Sequence, residues 1–201
     1  MNSTTQYYNQ NAKQFFDSTI DVEMQSLYEK FLPLIPTGGR ILDAGCGSGR
    51  DSKAFLDKGF QVDAFDASTE LTKLATELTG LEVTQTTFLE FQSEPATYDG
   101  IWACASLLHV PQEELAPTFI HLSNYIKPSG VMYCSFKLGD SELDRNGRFF
   151  RDLNLKQLEN VLETTRVLKV KRWWETSDLR PGRENEKWLN AVLEYTSILK
   201  D

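Results

Sequence analysis

The sequence predicts an α/β fold: a doubly wound, mainly parallel sheet of seven strands with helices on both faces. Three observations predict it. Short apolar runs of strand length alternate along the chain with segments of helical period. A glycine-rich turn, Asp43-Ala44-Gly45-Cys46-Gly47-Ser48-Gly49, separates the first such run from the helix after it. The second run closes on an acid, Asp66, 21 positions beyond Gly45.

Each element follows from local pattern. Met24, Leu27, Tyr28 and Phe31 recur at i, i+3, i+4 and i+7, which predicts an amphipathic helix over 21–32. Pro33, Pro36, Gly38 and Gly39 end it. A buried strand over 40–44 leads into the glycine turn, and a helix over 50–58 stops at Gly59, a residue suited to the left-handed conformation. The second strand spans 61–65 and closes at Asp66. Ser68 caps a helix with Leu71, Leu74, Ala75 and Leu78 on one face. The third and fourth strands are expected over 82–88 and 98–105. A helix starting near Pro117, with proline in its first turn, buries Phe119, Leu122 and Ile126. The fifth strand runs over 131–137 after the turn Lys127-Pro128-Ser129-Gly130. Residues 138–148 hold five charges and two glycines without a period and are read as a loop. Asn154 caps a helix carrying Leu155, Leu158, Val161 and Leu162. Strands over 166–174 and 188–195 complete the sheet, joined by a charged connection over 177–186.

Composition bounds the function. A length of 201 residues fits one domain with a core that needs neither disulfide nor metal. A net charge of −8 argues against a broad phosphate-binding surface, so no nucleic-acid partner is expected. Cys46, Cys104 and Cys134 stand far apart, as reduced thiols do, and neither His109 nor His121 has a neighbour at metal-ligand spacing; no metal is expected. Residues 1–14 are polar and lack the apolar core of a signal peptide. The longest mostly apolar stretch, 101–110, is about half of the ~20 residues needed to cross a bilayer. The expected location is the cytoplasm, without membrane association.

The glycine turn carries the first chemical signal. Glycines allow the backbone to turn tightly and to approach a ligand, and the helix start behind them offers free N–H groups and a partial positive charge. A dinucleotide fingerprint, Gly-x-Gly-x-x-Gly, would need glycine at position 50, where this chain has Arg50. The spacing present is instead Asp-x-Gly-x-Gly-x-Gly. It resembles motif I of the class I S-adenosylmethionine-dependent methyltransferases. Asp66 resembles the acid at the end of the family's second strand, and residues 98–110 and 122–130 resemble its fourth-strand motif and the turn before its fifth strand. The runs Cys46–Ser52, Gly147–Phe150 and Arg180–Arg183, with Lys137, are similar to bacterial proteins related to tellurite-resistance methyltransferases; no tellurium substrate is inferred from that.

The resemblance implies a Rossmann-like core over 37–201, whose last strand is antiparallel, behind an N-terminal helical lid over 1–36, all within a single domain of 1–201. It implies S-adenosyl-L-methionine as cofactor and a small-molecule methyl acceptor. Asp43, Gly45, Cys46, Gly47 and Arg50 would hold the cofactor from the glycine turn, and Asp66, Ala67 and Ser68 from the end of the second strand. Thr87 and Phe88, where many relatives carry an acid, would meet the adenine, and Ala103 would complete the site. The acceptor side is expected in the loops 138–150 and 175–187. Tyr8 and Phe16 from the N-terminal segment, with Lys137, Arg148 and Arg180, are its candidates. From Thr165 to Trp188 there are seven Lys/Arg against four Asp/Glu, which suits an anionic acceptor, although ion pairing explains most of these charges and Arg148 is the strongest substrate candidate. His109, just past the fourth strand, is a candidate general base with no obvious orienting partner in sequence. A non-catalytic S-adenosylmethionine sensor or partner-binding domain remains the alternative, and a monomer or weak homodimer is expected.

Overall fold

In the computed structural model, which describes residues 3–180 and 182–196, nine strands and seven α-helices follow one another along the described chain. The strands are β1 (Arg40–Ala44), β2 (Gln61–Asp66), β3 (Thr84–Gln85), β4 (Tyr98–Ala103), β5 (Ile126–Lys137), β6 (Glu142–Arg145), β7 (Arg148–Arg151), β8 (Leu168–Ser177) and β9 (Lys187–Tyr195). The helices are α1 (Ser3–Gln10), α2 (Ala12–Thr19), α3 (Gln25–Phe31), α4 (Arg50–Asp57), α5 (Thr69–Thr79), α6 (Gln112–Ser123) and α7 (Leu155–Thr165).

Seven strands form one sheet in the order β3-β2-β1-β4-β5-β9-β8, and β6 pairs with β7 in a separate ribbon. The pairs from β3 through β5 are parallel, whereas β9 runs antiparallel to both β5 and β8. The expected architecture, including the antiparallel last strand, is therefore present. It places the carboxyl ends of β1, β2 and β4 side by side, where open α/β sheets bind ligands.

Alternation along the central strands decides what each face buries. Ile101 and Ala103 of β4, with Met132, Cys134 and Phe136 of β5, meet Leu115, Phe119 and Leu122 of α6 and Leu158 and Leu162 of α7. Trp102 and Tyr133 point to the opposite face and stack at 3.9 Å, against Tyr28 and Phe31 of α3 and Phe55 of α4. Each residue of this set is at most 5% exposed. Ser68 caps α5 by accepting from the Leu71 N–H at 3.2 Å, and Asn154 and Gln157 form a capping box on α7.

Four expectations are corrected. The third strand shrinks to two residues because Thr87 starts a turn, its carbonyl accepting from the Phe91 N–H at 3.0 Å. Helix α6 starts at Gln112, so Pro117 lies inside it; Glu113 and Glu114 favour that earlier start through the helix dipole, and Pro117 and Glu113 are exposed. The segment read as a loop over 138–148 contains most of the β6–β7 hairpin. Asn146 and Gly147, at φ 57° and 79°, supply the two left-handed residues of its turn. Finally, β5 begins at Ile126, with an irregularity opposite Tyr98 and Gly100 absorbing the extra residues.

Among the described residues no helix is long and apolar enough to cross a membrane. Nor does any group of three or more His, Cys, Asp or Glu among them come together to hold a metal ion.

Candidate functional site

The turn after β1 is built for close approach. Gly45, Gly47 and Gly49 all adopt left-handed φ, at 77°, 56° and 78°. A Cβ on Gly45 would lie 2.6 Å from Ser106 Cβ, and one on Gly49 would lie 2.9 Å from Ala75 Cβ. The amides of Gly45 and Cys46 both donate to the Phe65 carbonyl at 2.9 Å, tying the turn to the end of β2. Ser106 adds a hydrogen bond from its hydroxyl to the Ala44 carbonyl at 2.7 Å.

Beneath the turn lies a buried polar network. Asp51 is 6% exposed and accepts from Arg50 at 2.7 and 3.0 Å, from the Tyr28 hydroxyl at 2.6 Å and from Trp102 Nε1 at 2.8 Å. Burial pushes its carboxyl up, but the Arg50 guanidinium and these donors outweigh that and hold it below the usual carboxylate range. Asp43, accepting from the Ser52 hydroxyl at 2.6 Å, moves the other way. Burial first, then the Asp51 charge, pushes it up to about 8. Asp43 and Asp51 therefore support the turn from below, with Asp51 as the charged partner of Arg50.

Asp66 closes β2 and latches the turn. Its carboxylate accepts from the Gly47 N–H at 2.9 Å and the Ser68 N–H at 2.8 Å. Burial raises its pKa against those two hydrogen bonds.

These elements open into one cavity of about 920 Å³. Gly45, Cys46, Gly47, Arg50, Asp66, Ala67, Ser68, Thr87 and Phe88 line it, as do Tyr8, His109, Lys137, Arg148 and Arg180. Sequence-predicted residues from both halves of the site thus share one space. Three do not reach it. Asp43 is turned into the network below, and Ala103, fully buried among core side chains, leaves Cys104, Ala105 and Ser106 to line that wall. Phe16 stays off the cavity with Lys13 over its ring, while Phe15, one residue earlier on α2, packs 3.1 Å from where a Gly47 Cβ would be. Pro181, in the run Arg180–Arg183, lies outside the described residues.

Sequence reasoning gave no role to Thr19, whose hydroxyl donates to the Phe15 carbonyl at 2.8 Å and lies within hydrogen-bond reach of Ser48 Oγ at 3.1 Å, holding α2 on the turn. Nor did it assign Thr118, a fully buried lining residue whose hydroxyl has no hydrogen-bond partner among the described residues. Neither carries a motif signal; only the folded chain brings them to the cavity.

Helix α1 spans from Ser68, after β2, to the β6–β7 hairpin. Thr4 Oγ1 accepts from the Phe149 N–H at 2.9 Å, and Asn9 Oδ1 accepts from the Ser68 hydroxyl at 2.7 Å. Tyr8, between them, sits 2.9 Å from His109 Nε2. The His109 Nδ1 lies 2.6 Å from the Phe149 carbonyl, so the orienting partner that sequence did not reveal comes from the β6–β7 hairpin. Burial, helped by the Arg148 charge and opposed by that carbonyl, lowers the His109 pKa to about 4. The imidazole is therefore neutral at physiological pH.

The cations here are sorted by their partners. Lys137 pairs with Glu186, Arg145 with Asp152, and Arg180 with Asp178 at 2.5 Å. Arg148 has no carboxylate in ion-pair range among the described residues. Its guanidinium sits 4.5 Å from the Tyr7 ring, 5.1 Å from Phe150 and 5.9 Å from Tyr8, and its Nε is buried without a hydrogen-bond partner.

A parallel sheet ordered 3-2-1-4-5 with an antiparallel strand beyond it, and a glycine turn at the head of α4, define the Rossmann-like fold of the class I methyltransferases. A family model described as a methyltransferase domain matches residues 16–180, and the chain belongs to that family. Among curated proteins it is 35% identical over 114 residues to a ubiquinone biosynthesis O-methyltransferase of Xylella fastidiosa, covering 53% of this chain and 44% of that one. The match spans less than half the length of the first curated relatives. Among solved structures, the 1,6-didemethyltoxoflavin-N1-methyltransferase of Burkholderia thailandensis, crystallised with 1,6-didemethyltoxoflavin and S-adenosylhomocysteine, superimposes with a TM-score of 0.80 at 18% identity, over 96% of this chain and 87% of that one. A TehB-like SAM-dependent methyltransferase from Corynebacterium glutamicum gives 0.67 at 19% identity, over 96% and 98%. Those two likenesses concern the fold.

Proposed function

We propose that this chain binds S-adenosyl-L-methionine at the glycine turn and transfers its methyl group to a small anionic acceptor at the far end of the same cavity. The observation that carries this reading is the continuity of the cavity. A turn of three left-handed glycines and Asp66 line it, and so do a neutral His109 and Arg148, which has no carboxylate partner among the described residues.

The residues fit the cofactor. The positive end of the α4 dipole, which opens on the turn, suits its carboxylate. Asp66 would take the ribose hydroxyls, giving up the Gly47 N–H to do so. Phe88 would pack on the purine, and the Thr118 hydroxyl, without a hydrogen-bond partner among the described residues, is a further polar group on the cavity lining. The bound cofactor supplies an electrophilic methyl on a sulfonium sulfur. What the chain contributes is position and exclusion of water. Phe15 and Tyr8 cover the cavity from α1 and α2, and Arg148 fixes the acceptor's charge.

The test is methyl transfer from radiolabelled S-adenosylmethionine to pooled small molecules, separated by charge. Label should enter anionic products, and Arg148→Met should cut transfer at least tenfold while cofactor affinity holds. Transfer confined to cationic or neutral products would overturn the anionic assignment.

A further inference from the structure

The contact between Tyr8 and His109 has a defined polarity. A carbonyl only accepts, so the 2.6 Å approach of His109 Nδ1 to the Phe149 oxygen places the ring hydrogen on Nδ1. Nε2 is then a bare acceptor, and the Tyr8 hydroxyl at 2.9 Å donates to it. The site thus presents an acceptor atom for an aryl hydroxyl, and in the free chain one of its own aryl hydroxyls fills it. Arg148 lies against the same Tyr8 and Phe150 rings, at 5.9 and 5.1 Å, and has no carboxylate in ion-pair range among the described residues. The walls are ring edges and faces: Phe15 meets Tyr8 at 5.1 Å, and Phe150 meets His109 at 4.8 Å.

We propose that Tyr8 is a stand-in for the acceptor: the substrate class is a small hydroxyaryl acid, whose O–H displaces the Tyr8 hydroxyl on His109 Nε2 and whose carboxylate pairs with Arg148. This rests on the methyltransferase reading, which assigns the glycine-turn end of the cavity to the cofactor. Burial and the Arg148 charge support it by keeping the imidazole neutral, so Nε2 stays an acceptor through the physiological range. Tyr8 sits on α1, so it can withdraw with that helix or by a change of rotamer while the His109–Phe149 pair stays in place. His109 recognises the donor, and its Nε2, which already holds the hydroxyl, takes the proton released when the aryl oxygen accepts the methyl group.

The proposal has an unusual sign. A residue that merely touches the substrate weakens binding when trimmed, whereas a stand-in that competes for its partner strengthens it. The experiment uses the full chain saturated with S-adenosylhomocysteine and titrated calorimetrically with para-hydroxybenzoate and, separately, para-methoxybenzoate, which keeps the carboxylate and loses the donor. The wild type should prefer the hydroxy probe. Tyr8→Phe should tighten the hydroxy probe by roughly three- to tenfold, the worth of one hydrogen bond no longer competed for, and keep the preference for it over the methoxy probe. His109→Phe should erase the preference between the probes, and Arg148→Met should weaken both. Tighter binding of neither probe in Tyr8→Phe, weaker binding of the hydroxy probe, or no binding of either probe to the wild type overturns the proposal. Saturation with S-adenosylhomocysteine is measured first. Its success with any of those outcomes removes the hydroxyaryl assignment alone, and its failure removes the reading beneath it.

Discussion

Gly45 is where backbone conformation and packing can be separated by measurement. Its φ of 77° lies in the left-handed region, which costs an L-residue about 1–2 kcal/mol. A Cβ there would also meet Ser106 Cβ at 2.6 Å and Oγ at 3.2 Å, well inside ordinary carbon contact. Overpacking of that kind adds roughly 1–3 kcal/mol. Gly45→Ala should therefore destabilise by about 3 kcal/mol, lowering Tm by roughly 6–12 °C in a chain of this size. Ser106→Gly removes both clashing atoms and leaves Phe88 Cζ, at 3.4 Å, as the next neighbour. Repeating Gly45→Ala in that background should recover the steric part, leaving the conformational part of about 1–2 kcal/mol. Thermal and urea unfolding of the four proteins form the cycle. An equal cost in both backgrounds would refute the packing argument. A cost under about 1 kcal/mol in the wild-type background would refute the conformational one as well.

Three further outcomes follow from the same geometry. Asp51→Asn should destabilise by about 3–5 kcal/mol in urea unfolding, because it strands the Arg50 charge beside Tyr28 and Trp102, whereas neutralising Asp17 in the exposed Lys13 pair should do little. His109 is held neutral when folded, with its pKa lowered to about 4, so the unfolded chain binds the extra proton between about pH 6.5 and 4. Stability from this group is present above that window and lost as pH falls through it; His109→Phe should flatten that limb of a stability–pH profile, and an unchanged slope would count against the assignment. Asp66→Ala should weaken S-adenosylhomocysteine by roughly 1–3 kcal/mol in calorimetry, since it removes a carboxylate that also latches Gly47; unchanged affinity would exclude the ribose role.

Local chemistry was legible where it is self-contained. The caps at Ser68 and Asn154, the glycine turn and the short apolar runs of β1, β2 and β4 depend on neighbours within a few residues, and the sequence predicts each close to its observed place. The β6–β7 hairpin carried a local signal too, in Asn146-Gly147, but its four-residue strands lack the apolar alternation that marks a half-buried strand. Pro117 misled because proline suits a first helical turn, and the true start lay before it. The acceptor side was least legible. The hydrogen bond joining Tyr8 to His109 crosses 101 positions, and the approach of His109 to Phe149 crosses 40. Lys137, Arg148 and Arg180 look alike in sequence; only folding shows that, among the described residues, two have carboxylate partners and Arg148 has none. Ala103 and Phe16 missed the cavity by one residue each, the parity of a strand and the turn of a helix deciding the direction.

The central claim is that the glycine turn holds S-adenosylmethionine. Its most direct test is calorimetric titration of the full chain with S-adenosylmethionine, S-adenosylhomocysteine and NAD under one set of conditions. The account predicts saturable one-to-one binding of both sulfur nucleotides, weakened by Asp66→Ala, and no binding of NAD. Binding of NAD with neither sulfur nucleotide would contradict it.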